Sequence, residues 1–287
     1  MSQAKERPIL FSAPMVRAIL EGRKTVTRRA VKIQPRTKGD IGSYGLGQPF
    51  IRHPDPTKRS PECPYGRPGN RLWVRETWLE DPEDDGTWAY TQYMGCKGSP
   101  LSDIPKRFQK PEHCIFRASW EGPDMLWRPS IHMPRWASRI LLEITSVRVE
   151  QLQDISEEQA LAEGVRLYTD HAELGDWYHV EGIETYSASP RKSFELLWQQ
   201  INGVDAWYKN PWVWVVEFKV VEPGASGCDY HDSHFGASYP DAQCVDGFLW
   251  DEDSCDAPGG PLLSGGDIPC PKCNAEAYAD HQREMSQ

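Results

Sequence analysis

Ile19-Leu20-Glu21-Gly22-Arg23-Lys24-Thr25-Val26-Thr27-Arg28-Arg29 is the stretch that decides how this chain is read. Its last eight residues set a lysine, a threonine hydroxyl and paired arginines side by side. An amine can take a proton, a hydroxyl can attack once it has lost one, and guanidinium groups hold phosphate. No other stretch packs base, nucleophile and anion-binding groups so closely.

Working toward the N-terminus, Ser12 to Gly22 reads as a helix. Ser12 can cap it, Pro14 suits its first turn, and Met15, Ile19 and Leu20 recur at helical spacing. Gly22 stands where a left-handed terminating residue is wanted. Beyond it, Lys24 to Val31 reads as extended, because Thr25, Val26 and Thr27 favour strand.

Toward the C-terminus, residues 34–70 are rich in Gly, Pro and Lys/Arg and read as a long loop. Gly69-Asn70 turns into a strong strand over Leu72–Trp78. Weaker strands are expected at Trp88–Tyr93 and Ile115–Trp120, with a polar loop over 95–113 between them. Residues 127–136 form an irregular connection. Strand character over 138–150 slips phase near Thr145-Ser146, which predicts a bulge or bend. Ser156-Glu157-Glu158-Gln159 is a capping box, so a helix starts there and ends at Gly164. A polar, aromatic-bearing insertion fills 165–189. Ser189-Pro190 starts a helix whose apolar face is Phe194, Leu197, Trp198 and Ile201, ended by Gly203. Trp212–Val220 reads as a largely buried strand. This order argues for an α+β domain on a small, mixed, closed sheet.

Charge divides the chain. Its net charge is −10, yet residues 222–287 hold thirteen Asp/Glu against only Lys272 and Arg283. Residues 1–221 hold 30 Lys/Arg against 29 Asp/Glu, and ten of those cations fall within the first 40 residues. The chain therefore reads as a near-neutral domain over 1–221 with a basic N-terminal face, followed by an acidic, Cys/Asp-rich tail over 222–287. Basic faces attract polyanions, and acidic tails repel or shield them. No apolar run approaches the ~20 residues of a membrane span. No signal-peptide core is visible, so the expectation is a cytoplasmic protein whose eight cysteines are thiols or metal ligands.

The segment 19–29, the turn and strand Gly69–Glu76, the capped helix ending at Glu163 and the final strand at 212–220 together resemble the ASCH family, a branch of the PUA-like β-barrel superfamily. The resemblance covers roughly residues 7–221, with insertions at 34–70 and 165–189. Phage and prophage members of that kind carry a run similar to Pro129–Trp136. The resemblance implies a PUA-like barrel with flanking helices and binding of RNA or a modified nucleoside. One bacterial branch hydrolyses the N-acetyl group of N4-acetylcytidine with a lysine, a threonine and a glutamate. Those positions fall on Lys24, Thr27 and Glu163, and a nearby arginine falls on Arg29. This chain is much longer than that branch.

The residues fit such chemistry. Lys24 acts as base if burial and Arg28 or Arg29 lower its pKa, Thr27 as nucleophile, and Glu163 as acid toward the departing amine. One geometric objection stands: three-residue spacing in a regular strand sends Lys24 and Thr27 to opposite faces. A turn begun at Gly22 would remove it. Binding demands less. Arg28, Arg29, Arg75 and Arg135 are candidates for phosphate, Trp73, Trp78 and Trp136 for base stacking, and His132 for the pocket lining. Each of these residues taken singly also fits a surface or packing role, and half or more of the tryptophans are expected in the core.

In the tail, Cys228-x-x-His231 and Cys270-x-x-Cys273 are two ligand pairs with knuckle-like spacing, flanked by Pro269 and Pro271. Four such groups predict a tetrahedral structural zinc site. Cys244, Cys255 and His234 compete as ligands, and a tail of free cysteines without metal fits the same composition. The leading functional expectation is binding of RNA, DNA or a modified nucleoside, extended by hydrolysis of an N-acyl group on a base. The alternative is a phage structural or assembly protein without catalysis.

Overall fold

The computed structural model describes residues 4–45, 47–80, 101, 104, 106–122, 124–168, 176–183, 185–221, 228, 230–245, 247–255 and 264–285. The strand expected at Trp88–Tyr93 lies outside them. The chain divides into two compact units, Met1–Val220 and Val221–Gln287.

The first unit is α+β. Strand β1 (Glu6–Leu10) leads into helix α1 (Ala13–Leu20), whose second residue is Pro14, and Gly22 follows with φ +72°. Next come β2 (Val26–Ala30), β3 (Ile41–Ser43), β4 (Pro49–Ile51), β5 (Arg71–Arg75), β6 (Trp78–Glu80) and β7 (Cys114–Phe116). The long β8 (Leu141–Gln151) then precedes α2 (Glu157–Ala162). After β9 (Arg166–Tyr168) and β10 (Trp177–His179), helix α3 (Pro190–Asn202) and strand β11 (Trp212–Val221) complete the unit.

Five strands form the main sheet in the order β1-β5-β8-β11-β2. β1 and β5 are parallel, while β5 with β8 and β11 with β2 are antiparallel. The expected closed sheet is not found: among the described residues the ladder ends at β1 and β2 without closing into a barrel. The Arg29 side chain on β2 nevertheless reaches the other edge, where its Nη2 donates to the Leu10 carbonyl at the end of β1, 2.8 Å away. Alternation along β2 and β11 feeds two cores. Val216 and Trp214 join Ile9, Phe11, Leu72 and Ile144, whereas Val26, Val213 and Val215 meet Phe194, Leu197 and Trp198 of α3.

Several local expectations change. The stretch 34–70 is not one loop: β3 and β4 pair as a hairpin, and Ile51 and Cys63 are buried in the first core. The strand expected over 72–78 breaks at Glu76, where a buried carboxylate accepts two bonds from Arg139, and β6 pairs with β7 in a separate sheet. β8 passes through its phase slip as one strand. The insertion at 165–189 carries the β9–β10 ladder.

In the second unit β12 (His231–Asp232), β13 (Ala242–Val245), β14 (Phe248–Asp251) and β15 (Gly265–Pro269) form an antiparallel sheet in that order, followed by α4 (Ala275–Met285). No helix among the described residues is long and apolar enough to cross a membrane.

Candidate functional site

Backbone geometry brings Lys24 and Glu163 together before any side chain acts. The turn after α1 lets the Arg23 and Lys24 amides both donate to the Ala18 carbonyl, at 2.9 Å each. Lys24 and Glu163 form an antiparallel bridge, and the Thr25 amide donates to the Ala162 carbonyl at 2.9 Å. α2 is fixed by its capping box: Ser156 Oγ accepts from the Gln159 amide at 3.2 Å, and Gln159 Oε1 accepts from the Ser156 amide. Gly164 ends the turn with φ +104°, and a Cβ there would sit 3.1 Å from the Ala18 Cβ. A side chain at 164 would therefore be strained and would push α2 away from α1.

The resulting ion network is largely buried, with the Lys24 and Arg28 side chains fully enclosed. Lys24 Nζ donates to Glu163 Oε2 at 2.7 Å, to the Glu163 carbonyl at 2.8 Å and to the Val26 carbonyl at 2.8 Å. Three acceptors match the three protons of an ammonium. Burial lowers the Lys24 pKa from its usual 10.5, while the Glu163 charge and hydrogen bond oppose that shift. On the other side, Arg28 Nη1 reaches Glu163 Oε1 at 3.3 Å. Arg28 Nη2 donates to Gln159 Oε1 at 2.6 Å and to Glu150 Oε2 at 3.3 Å. Glu163 thus holds two cations from the 24–28 segment.

Thr27, Arg28, Arg29 and Ala30 line one wall of a small solvent-open cleft together with Glu163. Four consecutive residues of β2 take part, so the cleft runs along the free edge of that strand. Phe194, Leu197, Trp198 and Ile201 of α3 form its apolar wall. Three donors around it are enclosed and have no hydrogen-bond partner among the described residues: Arg28 Nε, Arg29 Nε and Trp198 Nε1.

Lys24 lies in the turn before β2, so strand alternation does not set its face relative to Thr27. Lys24 precedes β2, and its Nζ lies 5.7 Å from the centroid of the Phe11 ring, while the Arg29 guanidinium lies 5.4 Å from the same ring. Arg29 shares a strand face with Thr27. No hydrogen bond joins Lys24 Nζ to Thr27 Oγ1 among the described residues; the amine spends its protons on Glu163 and Val26.

The remaining binding candidates sit elsewhere. None of Trp73, Arg75, His132, Arg135 and Trp136 lines this cleft. β5, which carries Trp73 and Arg75, is separated from β2 by β8 and β11. Trp73 is buried beneath the Arg75 guanidinium, 4.7 Å from its ring centroid, and Arg75 Nη1 donates to the Ile131 carbonyl at 3.3 Å. Arg135 pairs with Glu6 at 2.7 Å. Trp136 packs edge-on against the fully buried Trp78 at 5.5 Å. His132 is exposed in a single helical turn, Ser130–His132. Sequence reasoning missed Gln159 and Glu150 as partners of Arg28. It read Phe194 and Trp198 only as a core face, and only its continuation to Ile201 hinted at more.

In the second unit four thiols converge. The Sγ atoms of Cys228, Cys244, Cys270 and Cys273 all lie within 4.8 Å of one another. Cys228 and Cys270 are 3.6 Å apart, and Cys244 and Cys273 are 3.4 Å apart. Four sulfurs around a tetrahedral zinc at about 2.3 Å are about 3.8 Å apart, so the group fits a metal. Backbone N–H groups point at the sulfurs as well. The Lys272 amide lies 3.4 Å from Cys270 Sγ. Burial disfavours the Cys270 thiolate, but hydrogen bonds from the Cys273 and Lys272 amides, joined by the Cys244 and Cys228 thiols, lower its pKa. The expected ligand set is corrected in one member. His231 pairs with Gln243 across β12 and β13 and faces out, with Nε2 3.1 Å from Glu252 Oε2. Cys244, the next residue on β13, points to the opposite face and takes its place. Cys255 and His234 are outside the group.

No family model matches the chain, and neither a curated protein nor a solved structure matches it.

Proposed function

We propose that the cleft along β2 binds a nucleobase, carried by RNA or DNA or as a free modified nucleoside. One observation carries this reading: Thr27, Arg28, Arg29 and Glu163 face Phe194 and Trp198 across a single opening. A base needs an apolar wall for its ring and donors for its carbonyl oxygens. Arg28 and Arg29 in the cleft wall favour a ligand rich in acceptors.

A hydrolytic extension has its own support in the buried Lys24 amine, whose pKa burial lowers. Once a proton of the Lys24–Glu163 pair has moved onto Glu163, leaving Lys24 a neutral amine, Thr27 Oγ would attack the acyl carbon and pass its proton to Lys24. Glu163 would protonate the departing amine, and water would then cleave the threonine ester. Lys24 must exchange one of its three present acceptors for Thr27 on the way. Titrating N-acylated and unmodified nucleosides into the protein by calorimetry, with chromatography of the products, tests both readings. Saturable binding with released acid supports hydrolysis, and binding without product supports recognition alone. An absence of binding across the panel favours the assembly role.

For the second unit, we infer that the four cysteines hold a structural zinc. Among the described residues the unit's buried apolar side chains are Ala242, Cys244, Leu249 and Cys270. So small a core does not stand alone. Metal analysis should return one zinc per chain; a metal-free protein with an intact second unit would contradict it.

A further inference from the structure

The main chain of β2 faces two ways. The Val31 amide donates to the Trp212 carbonyl at 3.0 Å, and the Phe218 amide donates to the Thr25 carbonyl at 2.9 Å. Both bonds continue the register of the β2–β11 ladder. Antiparallel alternation then turns the N–H and C=O of Thr27 and Arg29 toward β11, and those of Val26, Arg28 and Ala30 toward the free edge. The Val26 carbonyl lies on that edge, where it accepts from Lys24 Nζ at 2.8 Å. Among the described residues no strand but β11 pairs with β2, and the main-chain groups of Arg28 and Ala30 have no hydrogen-bond partner.

Arg28 shows solvent its main chain and not its guanidinium. The side chain is 0% exposed and is tied to Glu163, Gln159 and Glu150, whereas the residue as a whole is 4% exposed. The open part is therefore the backbone, on the wall of the cleft. The N–H and C=O of one extended residue point the same way, side by side. Adjacent acceptor and donor atoms on a flat ring complement such a pair, and every nucleobase carries them on its Watson–Crick edge. Phe194, Leu197 and Trp198 line the same cleft and supply apolar surface for the ring. An added peptide strand fits less well, because strand addition draws its affinity from a run of main-chain rungs. This edge is stopped at both ends: Lys24 occupies Val26, and Gln34 Nε2 takes the Val31 carbonyl at 2.6 Å. Only Arg28 and Ala30 remain between them.

We propose that the main chain of Arg28 reads the Watson–Crick edge of the base in the cleft. Its N–H donates to a ring nitrogen or carbonyl oxygen, and its C=O accepts from the adjacent N–H. The ligand is thereby narrowed to an unpaired base with that edge unblocked; a base paired in a duplex, or methylated on the edge, is refused. The proposal rests on the reading of the cleft as a nucleobase site.

The test uses the full chain, with calorimetry for affinity and amide hydrogen exchange for the edge. The panel holds the four common nucleosides and their N-acylated forms. Edge-blocked partners are 1-methyladenosine, 3-methylcytidine, 1-methylguanosine and 3-methyluridine; 5-methylcytidine and 5-methyluridine are altered elsewhere on the ring. In the free protein the Arg28 amide should exchange faster than those of Thr27 and Arg29, which bond to β11. A nucleoside that binds should slow exchange at Arg28. Methylation on its Watson–Crick edge should weaken it at least about tenfold through the lost hydrogen bonds, while a 5-methyl group should not. Arg29→Ala should weaken every nucleoside that binds. Binding that Arg29→Ala weakens but edge methylation leaves unchanged, with Arg28 exchanging as in the free protein, overturns the edge reading and leaves the cleft reading standing. Protection of Arg28 and Ala30 by an extended pentapeptide of alternating valine and threonine, and by no nucleoside, overturns it in favour of strand addition. Absence of binding across the nucleoside panel overturns both readings.

Discussion

Lys24 Nζ lies 2.7 Å from Glu163 Oε2, and both side chains are buried. A buried ion pair offers little net stability over an apolar pair, yet losing one member leaves an uncompensated charge at a cost of about 3–5 kcal/mol. Glu163→Gln should therefore destabilise the first unit by about that amount in urea unfolding, since Lys24 then has no anion and Arg28 keeps only Glu150. Lys24→Met combined with Glu163→Gln should cost less than the two single losses added together. Additive losses would mean that the pair does not act as a unit.

Trp198 offers a contrast between ring and donor. Its Nε1 is enclosed without a partner, while its ring fills the second core. Trp198→Phe should change stability by no more than about 1 kcal/mol, because the N–H it removes makes no bond. Trp198→Ala should cost about 3–5 kcal/mol through the cavity it leaves. If the two variants melt alike, the ring is not packed as described.

The sequence was informative where chemistry and local geometry coincide. The 19–29 run, Gly22 and the Ser156–Gln159 capping box are local signals, and their joint effect is to deliver Glu163 to Lys24. Long-range placement was not legible. Trp73, Arg75 and Arg135 have the composition of a binding face, but sheet order separates β5 from β2, and no local pattern encodes sheet order. His231 had ligand-like spacing from Cys228. Its exclusion depends on strand register in the second unit, where a one-residue step reverses the facing side.

That register yields a direct metal test. Cys244→Ser should abolish stoichiometric zinc, whereas His231→Ala should retain it in elemental analysis. Removing zinc from the wild type with a chelator should expose the second unit to protease, since metal binding and folding are coupled in so small a core. Zinc retained in Cys244→Ser but lost in His231→Ala would restore the spacing-based ligand set.

Asp241 governs the acid behaviour of the same unit. Its carboxylate accepts from the His234, Phe235 and Ala237 amides, with the Ala237 bond at 2.8 Å. The His234 amide leads these bonds in drawing its pKa down from 3.8 to about 2. The folded state thus binds the proton more weakly than the unfolded state. The contribution is complete above pH 3.8 and disappears as pH falls through about 2. Asp241→Asn should lose amide protection at 234–237 already at neutral pH, as read by hydrogen exchange. Unchanged protection in that variant would show that the loop holds itself without the charge.

The central claim concerns the cleft where β2 meets α3, and the most direct measurement is a crystal structure of the protein soaked with the tightest-binding member of the nucleoside panel. The account predicts the base between Trp198 and Arg29, with a carbonyl oxygen directed at Arg28 or Arg29 and the ring edge beside Glu163. A nucleoside found only outside this cleft, with Thr27, Arg28 and Glu163 untouched, would contradict it.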